Sequence, residues 1–229
     1  MDYLASHLQS LDTTILKVEQ LRSRIDWLLP LKDRFTSILN PGCNDGYETI
    51  ALLWFLNAKA AIGVDVDAQA IQWARVTVEH MREDLNQLRR AIESSIDIPT
   101  DLRRRMVLAL GTYAQVPLPA YQVADITLQI DLPSSSYDIA YCHKVLYNLA
   151  SGASGASWRG TIFEGIRQVS NLLVAGGLFV AIEPLTRSPE DPTPLDLAGL
   201  FLQAGLEEVQ GGYPTPEIEG MAVHCFAKA

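Results

Sequence analysis

The sequence is poor in cysteine, in basic charge and in long apolar runs, and each shortage argues against a class of function. Cys43, Cys142 and Cys225 are the three cysteines among 229 residues; they stand far apart, with no CxxC pair. That spacing suits neither a zinc site nor a disulfide framework, so no metal is expected and the thiols are read as reduced, in a cytoplasmic protein. Lysine and arginine number 18 against 27 acidic residues, a formal net charge of −9. So acidic a chain repels phosphate backbones, which disfavours nucleic acid as a partner. The two basic clusters, Arg89-Arg90 and Arg103 to Arg105, read as solvated helix faces. No apolar run approaches the roughly 20 residues that span a bilayer. The opening MDYLASHLQS has neither the basic nor the apolar region of a secretion signal.

What is present fits an α/β protein with a real core: 48% of residues are hydrophobic and 20% charged. Leu4, Leu8, Leu11, Ile15, Val18, Leu21 and Ile25 recur at helical steps, and Pro30 ends the pattern. Residues 1–34 are therefore expected to form a helical cover, packed on the domain edge or lying over a pocket. From residue 35 the rhythm becomes strand, helix, strand, helix. FTSIL, AAIGVDV, YQVAD, YDIAYCH and LFVAIE read as strands. Tyr47 to Leu56 reads as a helix opened by a capping box of Asp45 and Glu48. Asp67 caps a long helix from Ala68. Pro99-Thr100-Asp101 starts an extra helix, inserted around residues 93–117. Trp158 to Leu173 is predicted helical, with Gly176-Gly177 as its stop, and Thr193-Pro194 opens a helix closed by Gly205. LEEVQGGY and MAVHCFAKA, separated by PTPEIEG, read as an antiparallel hairpin.

Such alternation builds a parallel sheet covered on both faces, and ligands of such sheets bind beyond the carboxyl ends of the strands. The segment ILNPGCNDGYET occupies that place after the first strand. Its glycines let a ligand lie against backbone, at a helix N-terminus with free N–H groups. Asp65 ends the second strand, where a carboxylate can accept hydrogen bonds from both hydroxyls of a ribose, or simply cap a turn at the strand's end. Asp125 closes the third strand, where it can accept from an adenine amino group with Ile126 against the ring, or simply make an Asx-turn.

Together these residues resemble the class I, Rossmann-like S-adenosylmethionine-dependent methyltransferases, over roughly Thr36 to Lys228. The family's glycine-rich motif commonly runs acid-x-Gly-x-Gly-x-Gly; here Asn40 stands at the acid, Gly42 and Gly46 match, and Asn44 replaces the middle glycine. SSSYDIAYCHKVLYNL looks like the family's fourth-strand motif, and IRQVSNLLVAGGLFVAIEP like the segment before and through its fifth strand. The resemblance implies a doubly wound, mostly parallel seven-stranded sheet with an antiparallel C-terminal strand, and S-adenosylmethionine as cofactor. It implies a cofactor site of Asn40, Gly42, Asn44, Gly46, Asp65, Val66, Asp125, Ile126 and Cys142.

The implied reaction is transfer of a methyl group to a small molecule by in-line displacement. His143 and Tyr147, after the fourth strand, are the candidate catalytic residues, since an imidazole can take up a proton at neutral pH. His143 can equally be a hydrogen-bonded loop residue. Asn148 stands one turn further on; Tyr3 and His7 share a face of the first helix and line a pocket if that helix is a lid, or else belong to a frayed terminus; Glu183 and Arg187 border the fifth strand's end, where they could face the pocket. His80 and His224 read as structural. The expected partner is a small methyl acceptor, and a homodimer is left open. The alternative is a non-catalytic relative that acts through protein partners, with the N-terminal and inserted helices as its surfaces.

Overall fold

A computed structural model describes residues 2–94, 97–152, 158–186, 194–209 and 221–229. Its centre is a seven-stranded sheet in the order β3-β2-β1-β4-β5-β7-β6. The strands are β1 (Ser37–Pro41), β2 (Ala60–Asp65), β3 (Ala120–Val123), β4 (Tyr137–His143), β5 (Leu173–Pro184), β6 (Leu206–Glu208) and β7 (Met221–Lys228). The first five run parallel, and β7 pairs antiparallel with both β5 and β6. Strand order reverses between β1 and β4, where such sheets open a crevice.

The period-two alternation of a strand explains why the sheet is covered on both faces. Ile38, Ile139, Tyr141, Leu178, Val180 and Ile182 point into one core, while Leu39, Ala140, Cys142, Phe179 and Ala181 point into the other. The first core is roofed by α1 (Asp2–Gln20), α2 (Arg22–Ile25), a 3-10 turn at Asp26–Leu31, α3 (Tyr47–Phe55), α4 (Ala68–Glu93) and α5 (Thr100–Tyr113). The second lies under α6 (Val145–Gly152), α7 (Trp158–Leu172) and α8 (Ala198–Gln203). In the N-terminal segment Leu8, Leu11, Val18 and Ile25 are buried, each contributing about 1.5–3 kcal/mol by leaving water. His7 Nδ1 lies 2.5 Å from Asp84 Oδ1, tying α1 to α4. The ring of Tyr3 meets His7 edge-on at 4.3 Å. Among the described residues no helix is long and apolar enough to cross a membrane.

Several local expectations hold. The Asp67 carboxylate accepts from the Gln69 N–H at 2.8 Å and caps α4. α5 starts at Thr100 and buries Met106 and Ala109. Others need correction. The start of α3 has no capping box: its N-cap is Gly46, at φ +83°, with no side-chain cap. Gly176-Gly177 do not stop a helix. The strand β5 begins at Leu173, straight after α7, and the glycines sit where the pairing with β4 slips from Tyr137↔Leu173 to Ile139↔Leu178. Gly176, at φ +73°, permits that irregularity. Pro194 does not open a helix either: it bridges to Thr186, and α8 begins at Ala198. Thr193 and the connection PTPEIEG lie outside the described residues.

Candidate functional site

The turn after β1 opens a cavity of about 500 Å³ at the carboxyl ends of β1, β2, β3 and β4. Pro41 is tolerated in a central strand because it is the last paired residue, opposite Val64. Gly42 follows at φ +67°, and a Cβ on it would collide with the Val145 side chain. Only glycine keeps β1 and the start of α6 this close. Asn44 takes the left-handed conformation at φ +47°, which Asn adopts more readily than most residues. Its N–H donates to Asp65 Oδ2 at 2.9 Å, and the Asp67 N–H donates to Asp65 Oδ1 at 2.9 Å. Asp65 thus joins the two turns that form one wall. Each carboxylate oxygen keeps a further lone pair for a hydroxyl donor.

On that wall Val66 is 67% exposed, an apolar surface left open beside a carboxylate. Asp125 and Ile126, just after β3, line the cavity beside it. Asp125 Oδ1 accepts from the N–H and hydroxyl of Thr127, at 2.8 and 2.7 Å, so the Asx-type turn is made. The far end of the cavity is lined by His143, Lys144, Val145, Asn148 and Leu149, and by Leu21 and Arg24 from the N-terminal segment. His143 Nδ1 lies 3.3 Å from Glu48 Oε1. Lys144, at φ +60°, is the second non-glycine residue of the wall with left-handed backbone. Burial, with Asp65 beside it, pushes up the pKa of the Cys43 thiol, so this cysteine stays protonated and is no nucleophile.

Of the eleven candidate cofactor and catalytic residues, seven therefore meet at one cavity, Gly42, Asn44, Asp65, Val66, Asp125, Ile126 and His143, and Asn148 joins them. Four do not line it. Asn40 is fully buried, its Nδ2 donating to the Tyr141 carbonyl at 2.8 Å and its Oδ1 accepting from Thr49 Oγ1 at 2.7 Å. Both ends of the amide are consumed inside the protein. Gly46 is a packing glycine: a Cβ there would lie 2.6 Å from the Tyr121 ring and 2.7 Å from Ala74. Cys142 is wholly buried in the second core, because alternation along β4 turns it away from Tyr141 and His143. Tyr147 contributes a backbone N–H to Glu183 and sits next to the lining pair Asn148 and Leu149.

His7 is spent on Asp84, away from the cavity wall. Glu183 is corrected as well. It is fully buried and accepts from the Val145, Leu146 and Tyr147 N–H groups at 3.1, 3.0 and 2.9 Å, closing the start of α6. Arg187 lies outside the described residues. Sequence reasoning missed Arg24, Glu48 and Lys144 as lining residues. Glu48 could have been found, since it stands one turn inside the helix that follows the glycine turn. Nothing local marks Arg24.

No protein-family model matches the sequence, and no curated protein matches it. Solved structures do. A TehB-like SAM-dependent methyltransferase from Corynebacterium glutamicum superposes with a TM-score of 0.55 at 14% identity, over 96% of this chain and 98% of that one. The N-methyltransferase NodS from Bradyrhizobium japonicum gives 0.55 at 16% identity, over 90% and 95%. The cyclase SpnF gives 0.50 at 14% identity, over 82% and 57%. At such identities likeness speaks for architecture. This chain has the Rossmann-like fold of the class I S-adenosylmethionine-dependent methyltransferases.

Proposed function

We propose that the protein is an S-adenosylmethionine-dependent methyltransferase acting on a small molecule. The observation that carries this reading is one cavity at the strand-order reversal. It brings the bare backbone of Gly42 and Asn44 together with the Asp65 carboxylate and the apolar faces of Val66 and Ile126. Its volume of about 500 Å³ suits one ligand of nucleoside size with little room beyond it, which favours a small acceptor. When bound, S-adenosylmethionine supplies an activated methyl group on a sulfonium. The chain's own residues have other tasks. Asp65 would accept from ribose hydroxyls, the Gly42–Asn44 turn would carry the middle of the ligand, and Val66 and Ile126 would pack against the base. Leu21 and Arg24 would cover the far end and limit water there. Holding the reacting groups in line contributes on the order of 7–11 kcal/mol to such a reaction.

His143 is the candidate base for an acceptor that must lose a proton. With Nδ1 beside Glu48, Nε2 is the ring nitrogen left to receive it. His143→Ala is expected to leave cofactor affinity within about twofold and to slow turnover by roughly 10²-fold or more. An unchanged rate, measured once an acceptor is found, would return His143 to a structural role.

Calorimetric titration with S-adenosylmethionine and S-adenosylhomocysteine, with NAD as control, tests the reading directly. Micromolar binding of the first two is the expected result. A second reading has its own observation: Val107 and Leu108 on α5 are 53% and 69% exposed, beside Arg104 and Arg105. Such a face suits a protein partner, and absence of binding at millimolar ligand would favour a non-catalytic relative that works through it.

A further inference from the structure

We infer that α1 and α5 form a self-complementary face through which two copies of this chain pair about a two-fold axis, whatever the cavity binds. The inserted helix α5 is thinly packed: of its 14 residues, Met106 and Ala109 are the buried ones. Its outer side carries the exposed side chains of Val107 and Leu108, with Gly111 one turn further on. A Cβ on Gly111 would meet nothing within 4 Å, so no neighbour within the chain requires a glycine there. A glycine inside a helix costs about 1 kcal/mol against alanine, and its bare backbone lets a second helix come close.

The first helix extends the same face. Asp12, Leu16 and Glu19 recur at i, i+4 and i+7, on one side of α1, and Leu16 is exposed. That side lies along α5. Arg105 Nη2 donates to Asp12 Oδ2 at 2.7 Å. Burial raises the pKa of the Tyr113 hydroxyl, and Glu19 and Asp12 add to the rise, so both acids stand near the end of α5. Leu16, between those acids, therefore extends the apolar strip of Val107 and Leu108. A cavity of about 200 Å³ opens at the seam, lined by Leu8, Asp12, Leu108 and Tyr113 among others. One surface thus offers both a protruding leucine and a hollow, as a two-fold interface requires.

The charges select a second copy over another partner. Arg104 stands at one end of the strip, with no ion pair among the described residues, while Arg105 is held by Asp12. At the other end Tyr113 has Glu19 and Asp12 on its α1 side, and Arg82 and Arg89 on its α4 side. Glu19 meets Arg22 only loosely, at 3.8 Å with both side chains half exposed. An antiparallel pairing of α5 with α5, centred between Val107 and Leu108, sets Val107 against Leu108 of the second copy and Arg104 against its Gly111. The absent side chain leaves room for the arginine stem, and Glu19 of the second copy is the acid within its reach. Two-fold symmetry makes the contact twice. A purely acidic partner would suit Arg104 but oppose Glu19, and a chain of net charge −9 repels nucleic acid and anionic lipid. α1 runs directly into Leu21 and Arg24 of the cavity wall, so a copy seated on α1 also steadies the cover of that cavity.

The test is sedimentation of wild type, Leu108→Glu, Arg104→Glu and Glu19→Arg, each alone, and of the last two mixed. Wild type is expected to sediment as a dimer at roughly 50 µM. Leu108→Glu puts a charge into the apolar strip, and each reversal sets like charges together twice, so all three variants are expected to pair at least ~10-fold more weakly. The mixture is expected to dimerise again, because each contact then joins opposite charges. The three side chains are exposed, so none of the changes touches the core, and recovery on mixing shows that both partners are folded. Wild type that stays monomeric up to about 500 µM overturns the inference. Dimerisation unchanged in all three variants overturns it too, by placing the interface elsewhere. Failure of the mixture to recover overturns the antiparallel pairing and the inference with it.

Discussion

Asp65→Ala is expected to weaken binding of S-adenosylhomocysteine by about 10²- to 10⁴-fold, the loss of two hydrogen bonds to a charged group. The effect should exceed that of any other single change at the cavity, because Asp65 does two things at once. Its carboxylate is the proposed acceptor for ribose hydroxyls. It also holds the Asn44 and Asp67 N–H groups at 2.9 Å each, and so keeps the two binding turns in place. Asp65→Asn separates the roles. One amide oxygen can still accept, but its NH₂ opposes one of the two N–H donors, so affinity should fall less than in the alanine variant. Calorimetry reads the affinities and a thermal melt reads the fold. Unchanged affinity in Asp65→Ala would remove Asp65 from the site and leave it only as a tie between turns.

Glu183→Ala is expected to produce the largest loss of stability. The variant leaves three N–H groups at the start of α6 without their acceptor, at a cost of about 3 kcal/mol or more. Lys144, Val145, Asn148 and Leu149 ride on that segment, so the far wall of the cavity should loosen as well. The same residue makes stability depend on pH. Burial pushes the Glu183 carboxyl up from 4.5 to about 7, while the three N–H donors oppose the rise. Between those values the folded chain keeps a proton that the unfolded chain has released, so stability falls as pH rises through the window and levels off above it. A difference of that size amounts to about 3 kcal/mol, or roughly 6–12 °C in melting temperature for a chain of this length. Glu183→Gln cannot ionise and keeps an oxygen for two of the three donors. Its melting temperature should lack the decline that wild type shows from pH 4.5 to 7. Parallel melting curves for the two proteins would show that the carboxyl is ionised throughout.

Much of the architecture is legible because it is local. Alternation in YDIAYCH and LFVAIE sets the two faces of the sheet, and those residues do divide between the two cores. The sequence between LEEVQGGY and MAVHCFAKA is too short to read as a crossover helix, and β6 and β7 do pair antiparallel. The failures are also local rules, overridden by packing. Asp45 and Glu48 have capping-box spacing, yet Gly46 in a left-handed turn starts α3, because Tyr121 and Ala74 leave room there only for a glycine. Gly176-Gly177 carry the signature of a helix stop, yet they serve a slip in register inside β5.

The site divides in the same way. From the sequence alone came the turn that bares its backbone, the carboxylate at the end of β2 and the histidine at the end of β4, since each depends only on its place along the chain. What a polar side chain does with its hydrogen bonds was settled only by tertiary structure. Asn40 and Glu183 were read as open to a ligand; one is closed by Tyr141, 101 residues away, and the other by a helix start about 37 residues back. Glu48 was read only as a cap for α3, and Arg24 was not read at all. Both line the cavity because folding brings α2 and α3 to the turn after β4, a meeting of segments that only the tertiary structure decides.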